Sequence, residues 1–141
     1  MKSDLLESKI KNLSDNKTLF ILFSTNWCGY CTMFEKYLKV EEVEKVFSKA
    51  FDVFHINLDT DEFAKEIAEI VKGDQKIDGV PWFALCKKDG SMITSNYKDV
   101  GNLGYPVGGN EPDMFMEMIK ENSNGLVDED YIVLKKHLIK Y

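Results

Sequence analysis

Cysteine, histidine and proline are all scarce in this chain, which has three, two and three of them among 141 residues. Three cysteines exclude a scaffold stapled by disulfides, because at most one bridge forms and one thiol is left over. A metal site drawn from Cys28, Cys31, Cys86 and a histidine lacks the second cysteine or histidine pair that structural zinc needs, so neither metal nor cofactor is expected. Basic residues are also in deficit, 18 against 24 acidic, for a net charge of -6. That balance gives no electrostatic reason to approach nucleic acid or an anionic membrane, which leaves proteins as the expected partners. No apolar run nears the roughly 18 residues that span a bilayer, and the first residues form no signal-peptide core. The chain as it stands is expected in the cytoplasm, and in the periplasm or outside the cell if a leader has been removed. No Pro/Gly/Ser-rich linker divides it, so one domain over residues 1–141 and a monomer are expected.

What the chain does carry is Asn26-Trp27-Cys28-Gly29-Tyr30-Cys31, with two thiols three positions apart. Upstream, Leu19 to Phe23 is a continuous apolar run that reads as a strand buried on both faces. Downstream, Phe34, Tyr37 and Leu38 recur at helical spacing between Glu35, Lys36 and Lys39. The pair therefore sits where a buried strand becomes a helix, with Cys28 at the helix N-terminus. Unpaired N–H groups and the positive end of the helix dipole favour an anion there, so the Cys28 thiolate is expected to form more readily than that of a free cysteine.

Leu6, Ile10 and Leu13 predict a short helix ahead of the first strand, and Val43, Val46 and Phe47 a further helical piece after a break near Val40. Phe51 to Leu58 reads as a second buried strand. Asp59 to Gly73 reads as a helix capped by Asp59 or Thr60, with Phe63, Ile67, Ile70 and Val71 on one face. Trp82 to Cys86 is a third apolar strand, and Asp89-Gly90 signals a hairpin into Ser91–Ser95. Helices near 111–121 and 128–140 follow. Alternating α and β units imply an α/β class, with a mixed sheet covered by helices on both faces.

This order, with WCGYC after the first buried strand and Gly79-Val80-Pro81 before the third, resembles the thioredoxin superfamily from Leu19 to Glu121. The resemblance implies a thioredoxin fold, a central mixed sheet flanked by helices, with a core over about 17–122. An extra N-terminal helix precedes it and a C-terminal helical extension, 123–141, follows. It further implies a cis Val80-Pro81 bond against the cysteine pair. A cis proline turns the chain sharply and leaves the backbone of Val80 to pair with an extended substrate segment. Cys28 is then the exposed nucleophile that attacks a substrate disulfide, and Cys31 resolves the mixed disulfide. Trp27, Gly29, Tyr30, Val80 and Trp82 are expected to meet the substrate, although Trp82 reads equally well as a core aromatic.

Two departures qualify the resemblance. Gly29-Tyr30 replaces the Gly-Pro of reducing thioredoxins and matches bacterial disulfide isomerases, which predicts a less reducing pair. Thioredoxins also bury an Asp six residues before the first cysteine, paired with a Lys on the second strand, to move the proton of the resolving thiol. Here those positions hold Leu22 and His55. His55 either takes over proton transfer or is a satisfied core residue. Cys86 reads as a buried inert thiol. The stretch from Gly101 to Gly109 reads as a flexible loop whose tip borders the substrate groove. The function implied is a thiol-disulfide oxidoreductase that reduces or isomerises disulfides in protein substrates and is recharged by an upstream redox partner. The alternatives are a relay dedicated to one redox partner and a non-catalytic binding module.

Overall fold

The structure, a computed structural model, describes residues 3–97 and 101–138. Thr18–Ser24 forms β1, which is buried along its whole length because it runs between two other strands, β2 (Phe51–Asn57) and β3 (Trp82–Cys86). With β4 (Met92–Thr94) the sheet order is β2-β1-β3-β4. β1 and β2 are parallel, and the other two pairings are antiparallel. The β3–β4 hairpin turns at Gly90, whose φ of 91° suits glycine, while the Asp89 carboxylate accepts the Ser91 N–H at 2.9 Å.

Six helices are described: α1 (Asp4–Lys11), α2 (Gly29–Lys39), α3 (Glu41–Ala50), α4 (Ala64–Lys72), α5 (Glu111–Glu121) and α6 (Asp128–Leu138). Alternation along the strands sorts the core into two layers. Phe20, Leu22, Phe83 and Leu85 point to the side covered by α2, α3, α5 and α6. Leu19, Ile21, Phe23, Trp82 and Ala84 point to the side covered by α1 and α4. The first layer is largely aromatic. Phe20 stacks on Phe83 with ring centroids 5.0 Å apart, and Phe34 meets Phe83 edge-on at 5.7 Å. Each such buried ring stabilises the fold by about 2–3 kcal/mol through area alone, and this layer forms the floor under the cysteine helix.

The C-terminal helix is built into that layer. The Tyr37 hydroxyl donates to the Leu134 carbonyl at 2.8 Å, and the Tyr105 hydroxyl donates to the Leu138 carbonyl at 3.1 Å. Burial, with the neighbouring Tyr105, pushes the Tyr37 phenol well above its ordinary ionisation range, so it stays a donor. Among the described residues no helix is long and apolar enough to cross a membrane.

Three elements differ from expectation. β2, expected to be buried, lies at the sheet edge and alternates, with Asp52, Val53 and His55 exposed and Phe51, Phe54 and Ile56 buried, because no neighbouring strand among the described residues covers its outer side. The helix expected from Asp59 begins only at Ala64, without a side-chain cap. The Asp59 carboxylate expected as the cap is used elsewhere, accepting the Asn26 N–H at 2.9 Å, while Asp61 accepts the Asn57 N–H at 2.8 Å, which holds 57–61 in a turn. The stretch expected as a loop starts as a strand, β6 (Gly101–Asn102), paired antiparallel with β5 (Asn96–Tyr97). The last residues expected in the final helix, 139 and 140, lie outside the described residues.

Candidate active site

Cys28 ends the turn after β1 and caps α2. Its extended backbone (φ -90°, ψ 111°) leaves the helix while its side chain turns back. The Cys31 N–H donates to Cys28 Sγ at 3.1 Å, which satisfies one of the unpaired donors of the first helical turn. Cys28 and Cys31 are joined as a disulfide, with Cα atoms 5.2 Å apart. Cys28 is 8% exposed and Cys31 1%. The outer sulfur is thus more covered than the exposed nucleophile expected from the sequence. The cover is the chain at Val80, whose carbonyl oxygen lies 3.5 Å from Cys28 Sγ.

The Val80-Pro81 peptide bond is cis. A shallow cleft of about 280 Å³ runs from Tyr30 across Val80 and Pro81 to Leu103, Gly104 and Val107. The glycine-rich stretch therefore forms the far wall of a groove whose near end is Tyr30, between the two cysteines. Tyr30 lines it and is 59% exposed, and Trp27, just before Cys28 in the chain, is 78% exposed. The turn carrying Trp27 is held at Asn26, whose side-chain oxygen accepts from Asn57 Nδ2 at 2.8 Å. Gly29 has open space around it.

Beneath α2, Leu22 and His55 are register partners across the β1–β2 ladder. Leu22 is buried and apolar. His55 Nε2 lies 2.9 Å from Glu35 Oε1 and 2.5 Å from Ser24 Oγ. With 38% of its side chain exposed, His55 is not a core histidine. It lines a cleft of about 390 Å³ with Glu35, Leu38, Phe47, Phe51 and Val53. Ser24 and Glu35 meet the same ring nitrogen, so this is not the Ser-His-Glu relay of hydrolases, which needs both nitrogens. Glu35 follows Cys31 by four residues, one helical turn along the same face of α2.

Trp82, expected near the docking surface, is fully buried. Strand alternation is the reason: Phe83 faces α2, so Trp82 faces the opposite layer, where it packs on Phe23 at 5.7 Å. Its Nε1 has no hydrogen-bond partner among the described residues. Cys86 lies four residues further along β3, about 13 Å from Trp82 by strand rise, and is fully buried. Burial, with the nearby Asp89 charge, pushes its thiol from 9.0 to about 11.

Three residues around the site escaped the sequence reading. Glu35 had a usable signal, its spacing from Cys31. Ser24 and Asn102 had none, since their partners are distant in sequence: Ser24 meets His55, and Asn102 Nδ2 donates to the carbonyls of Gly79 and Pro81 at 3.0 and 3.1 Å.

Solved structures with the same fold include a thioredoxin-fold protein from Helicobacter pylori, 22% identical, with a TM-score of 0.52 over 99% of this chain and 94% of that one. The first thioredoxin domain of mouse protein disulfide-isomerase A4 is 12% identical, with a TM-score of 0.54 over 90% of this chain and 76% of that one. The DsbH oxidoreductase is 15% identical, with a TM-score of 0.53 over 86% and 81%. At these identities the likeness is one of fold. No protein of curated function matches the sequence. The thioredoxin-like domain family matches residues 6–99, which hold the cysteine pair, His55 and Pro81, and the chain belongs to that family.

Proposed function

We propose that this protein is a thiol-disulfide oxidoreductase acting on protein disulfides through Cys28 and Cys31. The observation that carries the reading is the placement of Cys28 Sγ, which takes the Cys31 N–H at 3.1 Å and lies 3.5 Å from the Val80 carbonyl beside Pro81. An N–H aimed at the sulfur stabilises the thiolate that forms when the disulfide opens. The adjacent backbone offers an extended substrate a place to pair.

In the reducing direction the Cys28 thiolate attacks one sulfur of a substrate disulfide, forming a mixed disulfide and releasing the other substrate sulfur as a thiolate. Cys31 then loses its proton and attacks Cys28 Sγ, which releases the second substrate thiolate. The substrate gains two electrons and the Cys28-Cys31 disulfide is restored, so each turnover requires an external dithiol to reduce the pair again. His55 with Glu35 is proposed to receive the Cys31 proton, the role that Leu22 lacks the chemistry to perform. Trp27, Gly29, Tyr30 and Val80 are proposed to border the bound substrate.

Insulin reduction with dithiothreitol, refolding of scrambled ribonuclease and trapping by Cys31→Ser test the reading together. A mixed disulfide between Cys28 and a protein substrate, absent in Cys28→Ser, is the expected outcome. A Cys31→Ser protein that captures no partner, beside a wild type that neither reduces nor refolds, overturns it.

A further inference from the structure

Three successive carbonyls, those of Gly79, Val80 and Pro81, line the turn opposite the cysteine pair, and they are treated differently. The middle one faces Cys28 Sγ at 3.5 Å. The outer two both accept from the same nitrogen, Asn102 Nδ2, at 3.0 Å and 3.1 Å. On its other edge Asn102 Oδ1 accepts from the Ser95 hydroxyl at 3.0 Å and from the Gly104 N–H at 3.1 Å. A side-chain amide has two donors and two principal acceptor directions, and all four are used. The partners also settle which way the amide points, because the reversed orientation would set its oxygen against two carbonyls.

The amide is itself anchored to the sheet. Ser95 is fully buried. Its N–H donates to the Phe83 carbonyl at 2.8 Å, and its hydroxyl accepts the Phe83 N–H at 3.2 Å. A chain of bonds thus runs from β3 through Ser95 and Asn102 to both sides of Val80. It also ties the Pro81 turn to Gly104, on the far wall of the groove.

We propose that Asn102 is a positioning residue for substrate docking: its amide pins the backbone on both sides of Val80 and so holds the Val80 carbonyl beside Cys28 while fixing the width of the groove. The inference rests on the exchange reaction proposed above. Neither a side-chain contact of Asn102 with the cysteines nor a proton-transfer role enters it.

The discriminating variant is Asn102→Asp, which keeps the size and the acceptor edge but replaces the donor nitrogen with an oxygen facing two carbonyls. Reduction of a cysteine-bridged peptide is measured alongside alkylation of Cys28 in the reduced protein by iodoacetamide, a reagent too small to need docking. The expected result is a KM raised about tenfold, as the groove loses the two hydrogen bonds that pre-organise it, with kcat within about twofold of wild type and the alkylation rate unchanged or raised, since Val80 is the cover on Cys28. An unchanged KM, or an alkylation rate that falls in step with it, overturns the proposal. If Asn102→Asp does not fold, Ser95→Ala, which releases the amide oxygen, is read in the same way, with a rise of about threefold expected. Wild-type protein that fails to turn over the peptide refutes the exchange reading itself, and this inference with it.

Discussion

Glu35 Oε1 and His55 Nε2 meet at 2.9 Å, joining α2 to the edge strand β2 one helical turn beyond Cys31. Leu22, which faces His55 across the ladder, leaves the strand below the cysteines without a carboxylate. The carboxylate of this site comes instead from the helix that carries the cysteines. The charged groups sharing the cleft are Lys39, Glu44 and Asp52.

If that pair receives the Cys31 proton, Glu35→Gln and His55→Ala slow decay of the mixed disulfide by about tenfold or more near neutral pH. The defect shrinks as rising pH ionises the thiol unaided. Attack by Cys28, which precedes the proton transfer, keeps its rate. Quenched-flow measurement of mixed-disulfide formation and decay from about pH 6 to pH 9 checks this. Equal decay at every pH leaves the pair a structural contact only.

Cys86 is expected to be silent in the folded protein. Its folded pKa of about 11 lies above the ordinary 9.0, so the fold favours the neutral thiol. The stability this contributes is complete below the ordinary value and is lost as pH rises through the folded one. Alkylation of reduced protein at neutral pH, followed by mass spectrometry, is expected to mark Cys28 and to reach Cys86 only in denaturant. Labelling of Cys86 in the native state contradicts the buried placement.

Asp130 closes the start of α6, accepting the Val127 N–H at 3.0 Å and pairing with Lys49 at 3.0 Å. The Val127 N–H and then Lys49 hold its carboxyl below the ordinary 3.8. A depressed carboxylate contributes stability above its ordinary pKa, and that contribution fades as pH falls through the folded value. Asp130→Asn is therefore expected to cost about 1 kcal/mol at neutral pH, with the difference from wild type vanishing in strong acid. Urea titrations at several pH values measure it, and a constant difference at all pH values refutes the assignment.

Trp82→Phe separates core from groove. Because Trp82 packs on Phe23 in the layer away from α2, the substitution is expected to lower stability by about 1–3 kcal/mol and leave peptide reduction within twofold. A raised KM without loss of stability reverses that placement. Trp27→Ala, at an exposed position beside Cys28, is expected to do the opposite, raising KM with little effect on the melting temperature.

Much of the fold was legible because its signals are local. The apolar run at β1, the helical spacing of Phe34 and Tyr37 and the Asp89-Gly90 turn each announce an element within a few residues. Errors arose where a local signal had a distant owner. Asp59 looks like a helix cap, but its carboxylate is taken by Asn26, 33 residues away. Trp82 looks like a groove residue because it follows Pro81, but the face it points to depends on the β1–β3 register.

The sequence alone determined the groups at stake: two thiols at the start of a helix, a proline ahead of the third strand, and an apolar Leu22 on the first strand. Those features are residue identities and short spacings, which need no folding to be read. Only the tertiary structure decided which groups surround the cysteines, namely Val80 against Cys28, Glu35 and Ser24 on His55, and Asn102 across the Pro81 turn. These are directional contacts of a few ångströms between segments that only the packed sheet brings together, and hydrogen bonding at that range depends on register and side-chain direction.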